Sequence, residues 1–149
     1  MIMLNGIMNK KSIILLLILV GIFCSAAIIA YKFWNKPFKD ALKGDAIKVT
    51  ATQLFNDFNI NEAQAQQKYV PASIDDKILE IAGEITQVGN NEDGEIYYML
   101  KTNDEMFGVK CVMDKDAGNN AKVGDNVILR GFCVGYNMDV IVRRCKFVK

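Results

Sequence analysis

The sequence predicts a mainly β domain, a closed barrel of five strands, preceded by two short helices and one transmembrane helix. Two apolar, β-branched runs, residues 126–134 and 139–149, flank a short turn at residues 135–138, which is the pattern of a β-hairpin. An isolated hairpin buries too little surface to be stable, and further strand-like runs lie between residues 77 and 113. Closure of these five strands into a barrel accounts for both observations. The transmembrane helix follows from an apolar run near the N-terminus.

Residues 12–31 form that apolar run. They are twenty residues without a charged side chain, and as a helix they measure about 30 Å, the thickness of a hydrocarbon core. Lysines flank the run on both sides, and Tyr31 and Trp34 stand where an aromatic belt forms. A signal peptide cleaved near the small residues 25–27 is disfavoured because apolar sequence continues to Ala30, and a lipoprotein acylated at Cys24 is disfavoured because the bulky Phe23 precedes it. We therefore expect a retained anchor, with the membrane as a partner.

The orientation of this anchor depends on the charges around it. Two lysines precede the span and four follow it closely, a count that taken alone favours a cytoplasmic C-terminal side. A short basic segment followed by an apolar one is instead the order of an export signal, and we favour export. The expected organisation is a cytoplasmic tail at residues 1–11, the anchor at 12–31, a polar linker at 32–47 and a periplasmic domain at 48–149.

Charge and composition exclude several classes of function. Residues 1–43 carry six Lys and one Asp, a net charge of +5, whereas residues 44–149 carry twelve Lys and Arg against sixteen Asp and Glu, a net charge of −4. A net acidic domain is a poor candidate for binding phosphate backbones, which requires clustered cations. The chain has no histidine, which excludes a histidine general base, a Ser-His or Cys-His nucleophile and a His-ligated zinc.

Other residues of the kinds found in catalytic and metal sites lack the required pattern. Asp75 and Asp76 are adjacent and fit a solvated turn, and the acidic loop at residues 90–95 lacks the ligand spacing of a calcium loop. The cysteines at 111, 133 and 145 have no C-x-x-C spacing. We expect them to be buried free thiols, with a disulfide from Cys145 to one of the other two as the alternative. The sequence therefore predicts no enzyme, no cofactor and no metal.

The helices and strands follow from local signals. Residues 50–53 match a capping box that starts a first helix at Thr50, and Asn61 starts a second helix at residues 62–69. From Lys77 the apolar residues alternate, and Gly83 in this strand suggests a bulge. Asp93-Gly94 is a tight-turn signal. The remaining segments are strands at 96–101 and 107–113, a polar connector at 114–122 and the final hairpin.

A three-strand meander, a connector and a final hairpin form the strand order of an oligonucleotide/oligosaccharide-binding (OB) barrel. Within residues 48–149 the motifs Val49-Thr50-Ala51, Asn61-Glu62-Ala63, Ala82-Gly83-Glu84-Ile85, Val123-Gly124-Asp125 and Gly131-Phe132-Cys133-Val134-Gly135-Tyr136 resemble the bacterial tRNA anti-like OB-fold family. The resemblance implies an OB barrel with an N-terminal export signal or anchor. It implies no defined activity.

Aromatic and basic residues of the predicted barrel are the candidates for ligand contact, since OB barrels bind on the face of their second and third strands and stack ligands on aromatic rings. The candidates are Tyr97, Tyr98, Lys101, Phe107, Lys110, Arg130, Tyr136, Arg143 and Arg144. The competing interpretation is that these residues occupy ordinary exposed positions, because acidic residues are interspersed among them.

Two classes of function follow from these observations. The first is an extracytoplasmic binding or adaptor module for a protein, glycan or small molecule, and the second is a single-stranded nucleic-acid-binding domain on the cytoplasmic side. The net acidic charge of the domain favours the first.

Overall fold

The structure, a computed structural model, describes residues 10–34, 40–72, 77–118 and 121–148. The chain divides into two units, Met1–Pro37 and Phe38–Lys149. Its elements in chain order are α1 (Lys10–Trp34), β1 (Ala46–Thr50), α2 (Ala51–Ile60), α3 (Glu62–Tyr69), β2 (Ile78–Asn90), β3 (Ile96–Leu100), β4 (Val109–Met113), β5 (Asn126–Asn137) and β6 (Asp139–Phe147). The predicted turn at Asp75 and Asp76 lies outside the described residues, as do most of the tail at 1–11 and part of the linker at 32–47.

Helix α1 contains the stretch predicted as the membrane anchor. It is an α-helix of 25 residues. Within the described parts of the chain, no helix combines the length and the hydropathy that a membrane span requires. The transmembrane character of residues 12–31 stays a prediction.

Helices α2 and α3 begin at the residues that the sequence predicts. The Thr50 hydroxyl accepts a hydrogen bond from the Gln53 amide at 3.1 Å, and the Asn61 side-chain oxygen accepts one from the Gln64 amide at 3.1 Å. Each cap satisfies a backbone N–H that has no partner within its helix. The apolar sides of both helices join the main core, through Leu54, Phe55, Phe58, Ala65 and Tyr69.

Five strands close into the mixed β-barrel that the sequence predicts. β2 pairs antiparallel with β3, β3 antiparallel with β4, β4 parallel with β6, and β6 antiparallel with β5. β5 then pairs antiparallel with the first half of β2 and completes the ring. The ring order β2-β3-β4-β6-β5 is the order expected for an OB barrel.

A sixth strand, β1, was not predicted. Its five residues pair in parallel with β2, from Ala46 opposite Ile78 to Thr50 opposite Ala82. So short a run has no strand signal of its own, because it alternates for only two residue pairs before the helix starts. Pairing with β2 supplies the hydrogen bonds that make it a strand.

The bulge in β2 does not lie at Gly83. Gly83 pairs regularly with Val127, and the register shifts between Ile85 and Gln87 instead. Gly83 is required for a different reason, since a Cβ atom there would lie 3.1 Å from the Ala51 Cβ and 3.2 Å from the Leu100 Cβ. The glycine therefore permits close packing of α2 on the barrel.

The final hairpin turns more tightly than the sequence suggests. β5 continues through residues 135–137, where a four-residue turn was expected, and Asn137 pairs with Asp139. Met138 alone reverses the chain, with φ of 64°. The register of β5 against β6 shifts at two places, between Arg130 and Phe132 and between Cys133 and Gly135. Such bulges allow the strands to follow the curve of the barrel.

The segment before β1 packs on the barrel. Ala41 is only 2% exposed and forms a small apolar cluster with Ile78 and Phe132. Asp40 Oδ1 lies 3.1 Å from Lys146 Nζ. The packing of the second unit therefore begins before residue 48, where the sequence interpretation starts the domain.

The three cysteines of the barrel are buried and free, as predicted. Cys111 and Cys145 are fully buried, and Cys133 is 1% exposed. Burial raises the pKa of Cys133 to about 12 and raises the pKa of Cys145 as well. The raised pKa values keep Cys133 and Cys145 as neutral thiols, and burial makes all three side chains small apolar core residues.

Candidate ligand-binding face

One side of the barrel, formed by β3, β4 and β6, carries several of the predicted contact residues. Alternate residues of these strands point into the core, and the residues between them point outwards. We call the outward residues Tyr97, Met99, Lys110, Ile141 and Arg143 the outer face. Met99, Lys110 and Ile141 form one row across the three strands, because Met99 pairs with Lys110 and Lys110 with Ile141. β3 and β4 are the second and third strands of the ring, the pair on which OB barrels bind ligands.

Tyr97 presents an aromatic ring on this face. The ring lies over Gly89 of β2, where a Cβ atom would be 2.7 Å from the Tyr97 hydroxyl oxygen. The Lys110 Nζ lies 4.3 Å from the centre of the same ring, and Gln87 donates a hydrogen bond to its hydroxyl at 3.1 Å. Gly89 therefore makes room for the Tyr97 ring, and the ammonium of Lys110 lies over that ring in a cation–π contact.

Carboxylates of the same barrel neutralise the other cations near this face. Lys101 Nζ lies 3.3 Å from Glu84 Oε2, and Arg143 Nη2 lies 3.7 Å from Glu95 Oε2. Both pairs are largely exposed, so each contributes little to stability. They reduce the positive potential that a polyanion would meet at this face.

Two cavities open beside the outer face, at the end of β4. One has a volume of about 340 Å³ and is lined in part by Arg143 and Arg144. The other has a volume of about 380 Å³ and includes Asp93 of the β2–β3 turn. Both are lined by Glu95, Met113, Asp114 and Lys115, and we call them together the groove.

Tyr98 and Phe107 belong to the packing of the barrel. Tyr98 is fully buried and its ring lies 5.6 Å from that of Phe147. Phe107 is half-buried against the main core. The ring of Tyr98 is therefore closed to a ligand, and that of Phe107 packs on the core with part of its surface exposed.

Tyr136 joins the hairpin to helix α2. Its ring stacks on Phe58 at 5.6 Å with an interplanar angle of 21°, and it meets Phe55 edge-on at 6.2 Å. The Tyr136 hydroxyl donates a hydrogen bond to Asn59 Oδ1 at 2.9 Å. Arg130 is also engaged, with its guanidinium against Glu80 at 2.7 Å. Among the nine candidates, the structure therefore places Tyr97, Lys110 and Arg143 on the outer face, Lys101 at its edge and Arg144 in the groove.

The sequence interpretation missed Asp114 and Lys115 and assigned Glu95 only to an acidic turn. All three directly precede or follow strands of the outer face, Glu95 before β3 and the other two after β4. Their position at the ends of strands was the signal in the sequence that could have identified them, because loops at strand ends surround the ligand site of an OB barrel.

The side chains of this region can form non-covalent contacts of several kinds. Hydrogen-bond donors, carboxylate acceptors and the half-exposed ring of Tyr97 are present, and no group of three or more Cys, Asp or Glu side chains among the described residues is arranged to hold a metal ion. The groove and the outer face together offer a ligand both positively and negatively charged side chains.

Comparisons with known proteins agree with this fold. A crystal structure of a "putative nucleic acid-binding lipoprotein" from Klebsiella pneumoniae subsp. pneumoniae MGH 78578 is similar with a TM-score of 0.53 and 16% identity, covering 76% of this chain and 100% of that one. At that identity the similarity concerns the fold. No curated protein sequence matches. The tRNA_anti-like family model matches residues 3–147, so this chain belongs to the tRNA_anti-like family.

Proposed function

We propose that this domain is a non-catalytic binding module on the extracytoplasmic side, tethered by residues 12–31, which binds a protein or glycan on its outer face. The observation that carries the proposal is the pairing of Lys101 with Glu84 and of Arg143 with Glu95. A strand of phosphates would have to displace these carboxylates, whereas a neutral or mixed-charge ligand would not. Tyr97, with the Lys110 ammonium over its ring, offers such a ligand a hydroxyl group, an aromatic edge and a cation.

The tether rests on the sequence alone. Residues 12–31 contain no charged side chain and are flanked by lysines, which favours retention in a membrane. Fusion of alkaline phosphatase after residue 149 tests the orientation, because that enzyme is active only when exported. High phosphatase activity in the membrane fraction is expected, and an inactive fusion would contradict export.

Single-stranded nucleic acid is the second candidate ligand. It is favoured by the description of the similar Klebsiella protein as a "putative nucleic acid-binding lipoprotein". It is disfavoured by the domain charge of twelve Lys and Arg against sixteen Asp and Glu, or −4, over residues 44–149.

Binding measurements separate the two candidates. The full chain in detergent micelles would be titrated against fluorescein-labelled dT15 and rU15 at low and physiological salt, and screened against bacterial glycans and peptides. We expect oligonucleotide binding weaker than micromolar at physiological salt. We also expect peptide or glycan binding that Lys110→Ala weakens and that Lys122→Ala, a lysine in the loop before β5, leaves unchanged. Sub-micromolar oligonucleotide binding with a steep inverse salt dependence, lost in Arg143→Ala, would overturn the proposal.

A further inference from the structure

The second unit contains four methionines, and only Met113 is buried in the main core. Met106, in the loop between β3 and β4, is 82% exposed, and Met138, at the tip of the final hairpin, is 63% exposed. Met99 is half-buried on the outer face. We call Met99, Met106 and Met138 the methionine surface.

Gly108 brings the parts of the methionine surface together at one end of the barrel. Its N–H donates a hydrogen bond to Asp139 Oδ1 at 2.9 Å, and its carbonyl oxygen accepts one from the next amide of β6 at 3.0 Å. The β3–β4 loop with Met106 therefore lies beside the hairpin tip with Met138. A Cβ atom on Gly108 would lie 3.3 Å from the Met99 Sδ, so the side chain of Met99 also reaches this point. Exposed apolar side chains gathered in this way mark interaction sites.

Both loops hold their methionines on an ordered backbone. Asp104 Oδ1 accepts hydrogen bonds from the amides of Met106 and Phe107, at 2.8 and 2.9 Å. The Thr102 hydroxyl closes the same loop by donating to the Phe107 carbonyl oxygen at 2.7 Å. Met138 has the left-handed conformation, with φ of 64°, which is uncommon for methionine and recurs at ligand sites. A partner would therefore bind these side chains with little loss of backbone entropy.

The same two loops are negatively charged. Residues 102–108 and 136–139 contain Asp104, Glu105 and Asp139 and no lysine or arginine. An anionic lipid surface, or the same loops of a second copy of this chain, would be repelled by these carboxylates. Methionine side chains are flexible and polarizable, so they adapt to apolar groups of different shapes. The partner that fits is therefore apolar on one side and cationic at the edges of that side.

We infer that the methionine surface binds the apolar side of a basic amphipathic helix of a partner protein. The inference rests on the proposed function, because this surface continues the outer face, and it names the chemistry of the partner. Apolar side chains of the helix pack on the methionines. Lysine or arginine side chains beside them meet Asp104 and Glu105.

The test uses the full chain in micelles of dodecyl maltoside, a non-ionic detergent, with isotope-labelled methionine methyl groups. Two amphipathic helical peptides with the same leucine side serve as probes, one with lysine and one with glutamate at its polar positions. Methyl NMR shifts report contact at each methionine and give the affinity. We expect the lysine peptide to shift the signals of the methionine surface and to leave Met113 unchanged. It should bind at least about tenfold more tightly than the glutamate peptide.

Substitutions separate the apolar contacts from the charged ones. Met106→Ser and Met138→Asn together should weaken the lysine peptide about tenfold or more, read from the remaining methionine signal, and asparagine tolerates the left-handed conformation. Val123→Ser is the control and should change nothing, because Val123 is 62% exposed in the loop before β5. Glu105→Lys should weaken binding about fivefold, whereas Glu92→Lys, at the other end of β3, should not. Equal affinity of the two peptides, or full affinity without the two methionines, would overturn the inference.

The remaining outcomes separate this inference from the proposed function. If the lysine peptide causes no shifts, the inference is wrong, and the proposed function stands where a peptide or glycan still binds in a Lys110-dependent manner. Shifts that depend on protein concentration alone would identify a second copy as the occupant, and broadening by a paramagnetic detergent would identify lipid. Either result would overturn the inference and leave the outer face to the peptide and glycan screen. Sub-micromolar binding of dT15 alone, with shifts of the same signals, would overturn both.

Discussion

Arg130 and Glu80 face each other across β5 and β2, with both the Nε and the Nη2 of the arginine 2.7 Å from Glu80 Oε2. Their side chains are only 20% and 13% exposed. Arg130 Nη1 also donates to the carbonyl oxygens of Leu42 and Gly44, at 3.3 and 3.4 Å. The arginine therefore fastens the segment before β1 to the closed barrel, although its sequence context suggested a ligand contact.

Substitution of Arg130 should lower stability. We expect Arg130→Gln to reduce the free energy of unfolding by about 2 kcal/mol, because it leaves a partly buried carboxylate without its main partner. Urea denaturation followed by circular dichroism measures this change. Lys101→Gln is the control, since it breaks an exposed pair and should cost about 0.5 kcal/mol or less. An Arg130→Gln protein of normal stability but impaired ligand binding would contradict the structural role.

The same pair predicts a loss of stability in acid. The hydrogen bond from Arg130 holds the pKa of Glu80 below its ordinary value of 4.5. A carboxylate with a lowered folded-state pKa contributes its full stability above the unfolded-state pKa, and the contribution disappears as the pH falls from 4.5 through the folded-state pKa. Urea midpoints between pH 6 and pH 3 should therefore fall less steeply for Glu80→Gln than for the unsubstituted protein. Identical slopes would refute this assignment.

The buried thiols should be unreactive until the barrel unfolds. On a Cys24→Ser background, we expect no labelling of Cys111, Cys133 and Cys145 by Ellman's reagent at pH 8, and complete labelling in guanidinium chloride. Because the pKa of Cys133 is raised to about 12 from 9.0, its contribution to stability is complete below pH 9.0 and declines as the pH rises towards 12. Rapid labelling of the native barrel would contradict its burial.

Tyr97 and Tyr136 should respond differently to substitution. Tyr136→Phe should cost about 1 kcal/mol of unfolding free energy through the lost hydrogen bond to Asn59, and Tyr136→Ala about 3 kcal/mol or more through the lost packing on Phe58. Tyr97→Ala should cost less, because Tyr136 packs against the main core and Tyr97 is not among the residues of that core, but it should weaken ligand binding. A large loss of stability in Tyr97→Ala, together with weakened ligand binding in Tyr136→Ala, would exchange the two roles.

The residues before β1 should be needed for full stability of the barrel. A fragment of residues 38–149 should unfold cooperatively, because it contains the whole second unit. A fragment of residues 46–149 lacks Ala41 and the Asp40 partner of Lys146, and we expect it to be about 1–3 kcal/mol less stable. Equal stability of the two fragments would place the start of the domain near residue 48.

Local sequence determined the helices and most of the strands. The Thr50 cap, the turn at Gly94 and the starts of β5 and β6 each depend on residues close together in the chain, and all three lie where the pattern predicted them. The ring order also followed, because the order of strands and connections along the chain allows few ways to close a barrel.

Only the tertiary structure decided on which face of the barrel each candidate residue lies and which partner it contacts. Arg130 meets a carboxylate fifty positions away in the chain, and β1 becomes a strand only when β2 lies beside it. Arg143 and Arg144 line the same cavity although they are consecutive in β6, whose register shifts against β5 nearby. The sequence determined that these residues are charged or apolar, since that is a property of each residue. Their partners and directions depend on strand register, which arises from contacts between segments distant in sequence.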